Sequence, residues 1–512
     1  MVSNFYDSSP VGQHLFGDRQ RAFGSHFEQQ NNTYSVYLPL TLICGALLTA
    51  IAPGNDTFVF GSILGGIAGI YLLYDLIFNE PPLRISSLLA MSLLIGYCLG
   101  AANSWLTVPR ADLTISEAFA RDPVVLANGI AACLATTAVL LFAGQLLERP
   151  IFGTDFQLNF DYRSHLLIYL GTVLMLVAFA TGKIGYGGVA TDENNKVSVL
   201  GALVSWLSAP ILAYSLCATL NARGLVRLLL GGCTILQAVA LVPTGRRNFT
   251  FALLLAVVAS RLGRFRLRLS IFGKVLLLAS GAALIFIASI AFIYIRLAGW
   301  EHKEAKTLGA RVEAALTLSQ SRSVSEVTEF LQSNVSTRTF VIGYFADLID
   351  ASSKSTPLLG RGLVRNLKLL VPSVVSRDKF DIEPYEEEGQ VDLQFGFSYI
   401  DEANTILTAG AADFGLLGVF LYPLMIVVLM RAATELVQGY FPTYFAVMIV
   451  LSFLFQMLLA ETQISDYLIQ LRDAAIFALL LYLISLLPAP RFLEPTQGGP
   501  LFGDKIRRLI GG

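Results

Sequence analysis

Charge is scarce in this chain. Of its 512 residues only 14% are Asp, Glu, Lys or Arg, while 54% are hydrophobic. An average soluble domain carries about a quarter of its residues as charges. The apolar residues fall in long runs, so a large soluble core does not account for the deficit. Nor is there an excess of one sign. Lys and Arg number 36 against 37 Asp and Glu, a formal net charge of -1, which excludes the global basic field of a nucleic-acid-binding protein. Cysteine is sparse and never in a C-x-x-C pair: Cys44, Cys98, Cys133, Cys217 and Cys233 all lie inside apolar runs. This excludes a zinc ribbon and a disulfide framework and leaves small residues facing lipid or bundle. The first 35 residues lack an apolar stretch behind a basic start, so no cleaved signal peptide is expected and the first span inserts as a signal-anchor. EF-hand spacing is missing as well. No metal and no cofactor is called for.

What the chain has instead is helix-length apolar segments. About twenty residues cross a hydrocarbon core. Candidate spans lie near 36–52, 57–78, 85–106, 123–147, 164–182, 197–220, 225–243, 249–262, 272–297, 404–430, 441–459 and 471–487. The expected fold class is therefore an all-α integral membrane protein of about 12 transmembrane helices with a large, partly helical extracytoplasmic loop. Gly61, Gly65 and Gly69, spaced by four in the second span, read as a close helix contact.

Basic residues in short loops set the orientation. Arg261, Arg264, Arg266, Arg268 and Lys274 stand together without an acid between them, and the C-terminal tail adds Arg491, Lys505, Arg507 and Arg508. Both signals place the same side in the cytoplasm. The organisation that follows is a cytoplasmic segment 1–35, a bundle of about nine spans at 36–297 and an outer, extracytoplasmic loop at 298–403. About three further spans occupy 404–487, and a cytoplasmic tail ends the chain at 488–512.

The outer loop opens with amphipathic periodicity at Val324, Val327, Phe330, Leu331 and Val335, and a second helical stretch is expected from Phe340 to Ile349. Gly360, Gly362, Pro372 and Pro384 make the next part irregular. The run Glu386-Glu387-Glu388, with Asp392, reads first as a solvated surface.

Three polar constellations fall on the outer face. Pro243-Thr244-Gly245-Arg246-Arg247-Asn248 is a tight turn between two spans. Paired arginines at a membrane boundary suit phosphate oxygens, of a substrate or simply of the surrounding lipid. Leu359-Gly360-Arg361-Gly362, followed by Arg365 and Lys368, sets an arginine between two glycines that let backbone approach a ligand. Taken alone, such a segment is most often an ordinary turn. Ser398-Tyr399-Ile400-Asp401-Glu402-Ala403-Asn404 re-enters the apolar region and leads to Asp413-Phe414-Gly415. Carboxylates at a dry boundary suit general acid or base work. Asp413 lies about 13 Å below Asn404 along a helix. A buried acid there needs a partner, for which Arg246, Arg247 and Lys183 are candidates. Glu461, Asp466, Arg472 and Asp473 form a weaker fourth set around the last outer connection.

The order of these features resembles the Wzy-type O-antigen and exopolysaccharide repeat-unit polymerases and the related O-antigen ligases. The pieces that carry the resemblance are Pro243 to Asn248, Leu358 to Leu363, Asp401 to Asn404 and Asp413-Phe414-Gly415-Leu416-Leu417-Gly418. Many members place a His just before the Asn at the loop-to-span junction. This chain has Asp401-Glu402-Ala403-Asn404 there, a departure that leans from ligase towards polymerase.

The resemblance implies metal-independent, inverting glycosyl transfer at the outer leaflet of a bacterial inner membrane. The substrates would be undecaprenyl-pyrophosphate-linked oligosaccharides, and a chain-length co-polymerase is a possible partner. It implies pyrophosphate binding by Arg246, Arg247, Arg361 and Arg365. The proton would be taken by a carboxylate among Asp401, Glu402 and Asp413, with Asn404, Asn248 and Lys183 in support. A ligase of the same fold and a lipid-oligosaccharide flippase are the alternatives. Against the flippase stand the missing internal repeat and the hundred-residue outer loop.

Overall fold

The computed structural model describes residues 34–79, 81–107, 121–152, 158, 160, 162–181, 199–242, 246–260, 262, 270–302, 308–323, 325–326, 341–371, 387–397 and 404–485. Among these residues no strand occurs, and the elements are helices throughout. Six of them are long and apolar enough to cross a membrane: Asn55–Phe78, Ile85–Leu106, Pro123–Leu147, Gly224–Leu241, Ala279–Ala298 and Leu416–Tyr440. Val36–Ile51, Arg163–Ala178, Asn248–Ser260 and Thr443–Leu458 are shorter apolar helices.

The first half runs through α1 (Tyr34–Ile51), α2 (Asn55–Phe78) and α3 (Ile85–Leu93). A π-helical stretch at Leu94–Leu99 joins α3 to α4 (Gly100–Thr107). Next come α5 (Pro123–Leu147), α6 (Tyr162–Ala180), α7 (Val199–Asn221), α8 (Gly224–Leu241) and α9 (Arg246–Ser260). Helix α5 lies at the centre, with α1, α2, α3 and the later α12 against it. The expected glycine stripe of α2 is a packing face. A Cβ at Gly65 would fall 2.4 Å from Cys98 Sγ, and Gly61 and Gly69 abut Ile130 and Ile95. All five cysteines are free, with Cys98, Cys133 and Cys217 buried and Cys44 exposed.

Large apolar side chains are left outside in number. On α8 alone Leu225, Leu228, Leu229, Ile235, Leu236 and Val239 are exposed. Soluble monomers rarely show apolar faces of that size. Helix α10 (Ile271–Glu301) runs for 31 residues, about 46 Å at 1.5 Å per residue, longer than a hydrocarbon core is thick. Its far end meets α11 (Leu308–Ser321) in a satellite core of Ile293, Tyr294, Leu297, Ala298, Ala315 and Leu318, closed by an Arg322–Glu301 ion pair.

Part of the segment expected to form an outer loop packs against the bundle. Helix α12 (Ile342–Lys354) packs along α5, where a Cβ at Gly129 would lie 2.8 Å from Ala346 Cβ. Its Ile342, Tyr344, Phe345, Ala346 and Leu348 are buried, and Asp347 pairs with Arg121 at 2.7 Å. Two short helices follow, α13 (Arg361–Leu370) and α14 (Glu387–Phe395).

The apolar run 404–430, read as one span, is two helices. The chain breaks at Gly415 (φ +59°) between α15 (Ile406–Phe414) and α16 (Leu416–Tyr440) and folds back on itself. Gly410 and Gly418 meet backbone to backbone: a Cβ on Gly418 would stand 1.9 Å from the Gly410 carbonyl oxygen. Hydropathy cannot register this break, because both arms are apolar and one glycine carries the turn. Helices α17 (Thr443–Leu458) and α18 (Ile464–Ser485) end the described chain.

Candidate functional site

Two segments singled out in the sequence, fifty residues apart, meet here. Residues Leu358 to Gly362 fold onto the last turn of α15. The Leu358 amide donates to the Ala412 carbonyl at 2.9 Å and the Leu359 amide to the Asp413 carbonyl at 2.8 Å. The turn needs left-handed backbone at Leu359 (φ +54°) and Gly360 (φ +84°). Only glycine takes such angles without steric cost, and at Gly360 the Phe414 ring closes the remaining space at 3.1 Å.

Asp413 is 1% exposed and its carboxylate is engaged on both oxygens. Oδ1 accepts from the Gly362 amide at 2.9 Å, and Oδ2 from the Leu363 amide at 2.8 Å. The Tyr422 hydroxyl, brought round by the reversal at Gly415, also donates to Oδ2. The first amides of a helix have no partner within it. Asp413 supplies one across the fold. Glycine at 362 lets the carboxylate come this close, since a Cβ there would fall 2.9 to 3.2 Å from its atoms. The partner anticipated for Asp413 was a cation, Arg246, Arg247 or Lys183. Among the described residues its partners are two amides and a phenol, at the positive pole that the start of α13 provides. Lys183 and the side chains of Arg246 and Arg247 lie outside what the structure describes.

Arg361 opens α13 on the surface, and Arg365, one turn on and 6% exposed, lies inside with Nη1 donating to Asn366 Oδ1 at 3.3 Å. The structure thus brings Arg361, Arg365 and Asp413 to one corner. Arg246 and Arg247 occupy the first turn of α9, with half-buried Asn248 behind them, and α9 packs on α7, α10 and α17. Asp401, Glu402 and Lys183 lie outside the described residues. Asn404 is half-buried just ahead of α15.

Sequence reasoning missed the anchorage of α15. Thr405 caps it, accepting from the Leu407 and Thr408 amides at 3.1 Å, while its own amide donates to Thr408 Oγ1 at 2.7 Å. The Thr405 hydroxyl is hydrogen-bonded to the Tyr97 hydroxyl, just past the midpoint of the Ile85–Leu106 stretch and inside its π-helical part. Tyr97 also packs edge-on against Phe345 of α12, with ring centroids 5.2 Å apart. Beside it, Gly96 faces Ala460 in the connection between α17 and α18. The π-helical turn shifts the phenol out of α-helical register and leaves room for these segments. A T-x-x-T start to α15 was visible as a cap signal; its pairing with Tyr97 had no local sign.

No protein-family model, curated protein or solved structure matches this chain.

Proposed function

We propose that this protein is a repeat-unit polymerase of a bacterial inner membrane. It would cross that membrane about twelve times, with both termini in the cytoplasm and the segment 298–403 facing the periplasm. The observation that carries the reading is the junction of Leu358–Gly362 with Asp413-Phe414-Gly415. Two of the pieces on which the polymerase resemblance rests form one structural unit, with two arginines on the helix that grows from it.

In the proposed reaction an acceptor-sugar hydroxyl oxygen attacks the anomeric carbon of the donor glycan with inversion. The bond from that carbon to the diphosphate breaks, and undecaprenyl diphosphate leaves with the electron pair. Arginines 246, 247, 361 and 365 would stabilise the charge that develops on it. Asp401, Glu402 and Asp413 are the carboxylates the resemblance offers for the hydroxyl proton. The segment 298–403 would enclose the sugars and exclude water, which would otherwise compete as acceptor.

The test is incubation of the purified protein with lipid-linked repeat units alone. A ladder of lengthening glycans is expected, and Arg246→Ala, Arg247→Ala and Arg361→Ala should each abolish it without impairing insertion. No product until a foreign acceptor is added would make the protein a ligase. A second reading, a lipid-oligosaccharide flippase, draws support from the half-length α15, since broken helices are a transporter feature. Gene deletion separates them: single-repeat lipid accumulates on the outer leaflet if the polymerase reading holds, and on the inner leaflet if transport was lost.

A further inference from the structure

Helix α13 has ten residues, too few to hold its shape in isolation. Its shape and direction must come from what grips it, and it is gripped at both ends by charged side chains of other helices. At the N-terminus stands Asp413 of α15, accepting from the Gly362 and Leu363 amides. At the C-terminus stands Arg472 of α18, whose Nη1 donates to the Leu370 carbonyl at 3.4 Å while Nη2 pairs with Asp473 at 2.6 Å. An acid at the positive pole and a base at the negative pole both match the helix dipole.

The amides at a helix start are the groups that would ordinarily receive a phosphate. Here an internal carboxylate already holds them, so an anion at this corner is left to the exposed side chain of Arg361, with the buried Arg365 one turn behind it. The same engagement bears on Asp413 as a base. A proton acceptor must turn a lone pair to the substrate, whereas Asp413 is 1% exposed and faces two amides and the Tyr422 hydroxyl.

We infer that Asp413 and Arg472 are positioning residues. They hold the arginine-bearing α13 by its two ends so that the exposed Arg361 meets the diphosphate of a lipid-linked substrate, and Asp413 takes no part in proton transfer. This rests on the polymerase reading for the identity of the ligand, though not for the grip itself.

The experiment uses full-length protein in nanodiscs, with Asp413→Asn and Arg472→Gln, and two readouts. The first is hydrogen exchange over residues 358–371. Both variants should exchange faster there than the wild type, with α5 and α16 unchanged. The second is chain extension against donor concentration and pH. KM for the lipid-linked donor should rise about tenfold, the scale on which a lost charge-assisted hydrogen bond acts. The shape of the pH–rate profile should persist. Unchanged exchange in both variants overturns the grip. Loss of kcat in Asp413→Asn together with the acid limb of the profile overturns the positioning role and makes Asp413 the base. Faster exchange with unaltered KM overturns the link to the diphosphate. If the wild type makes no ladder, the polymerase reading and the diphosphate assignment fall together, while the exchange data still decide the grip. Should Asp413→Asn not fold, Arg472→Gln acts at the opposite end of the same helix and decides the grip and its link to KM. Asp413→Glu, which keeps a carboxylate, then decides proton transfer: a retained pH–rate profile with raised KM supports positioning, and a shifted acid limb overturns it.

Discussion

Glu148 and Asp413 use one device in two places. Each is a buried acid that accepts from two consecutive amides at the start of a helix remote in sequence. Glu148 takes the Ile85 amide at 2.6 Å on Oε1 and the Ser86 amide at 3.0 Å on Oε2, closing the start of α3 against the end of α5. Beside it Arg84 is half-buried; burial draws its guanidinium below the ordinary value and the Glu148 carboxylate opposes that. Nearby the Ile151 amide donates to the Leu83 carbonyl at 2.8 Å, and Gln438 of α16 donates to the Ile151 carbonyl at 2.7 Å.

The difference lies in what is held. Ile85–Leu106 is a long, largely buried helix that packing keeps in place whether or not its first amides are satisfied. Helix α13 is short, and its Val364 and Leu367 are exposed rather than set in a deep core. A clamp on the first kind adds stability. A clamp on the second kind sets geometry. The two acids should therefore separate stability from activity when altered.

The largest effect is expected from Gly418→Leu. It drives a side chain into the backbone of Gly410, prevents the α15–α16 reversal and removes the Asp413 clamp altogether. Little monodisperse protein should be recovered by size exclusion; normal recovery would show that the hairpin is dispensable. Next comes Glu148→Ala, which strips two charge-assisted hydrogen bonds and is expected to cost about 3 kcal/mol. Thermal unfolding in detergent should show a lower Tm, while extension per folded molecule stays at the wild-type level. A fall in specific activity instead would break the contrast.

Gly362→Ala should give the reverse pattern. The added methyl presses on the Asp413 carboxylate and shifts α13 at a cost of about 1–2 kcal/mol, with donor KM raised and Tm little moved. Combined with Asp413→Ala, it should add less than the two separate effects, because the second change makes room for the first. Full additivity would mean that the pair does not act as a unit. Smallest is Tyr422→Phe. It removes one of three hydrogen bonds to Asp413, about 1 kcal/mol, and should lower extension only a few-fold. A complete loss would give the phenol a part in the chemistry.

Much of the helical framework was legible, because apolar runs of span length and a four-residue glycine stripe are local signals. The pieces of the candidate site were legible too, as Gly360-Arg361-Gly362 and Asp413-Phe414-Gly415. Their meeting was not, since hydrogen bonds between residues fifty positions apart leave no periodicity. Glu148 was overlooked for a related reason. A single acid after a span looks like an ordinary loop charge, and only the fold shows that it faces Ile85 and Ser86. The division of 404–430 was hidden by apolarity on both sides of Gly415. Tyr97 was hidden because a phenol within an apolar run reads as bulk until a hydroxyl is set against it.

The reversal at Gly415 also bears on how the chain is made. Helix α15 has nine residues and is too short for an insertion machine to stop as a span of its own. Its glycine face fits against α16, which leaves the ribosome later. The Leu358–Gly362 turn in its place waits for Asp413. The arginine helix is thus among the last parts to settle, after its own residues have been synthesised and passed by. A nascent chain stalled before α16 would hold Arg361, Arg365 and Asp413 but neither the Tyr422 hydroxyl nor the Arg472 guanidinium that complete their setting.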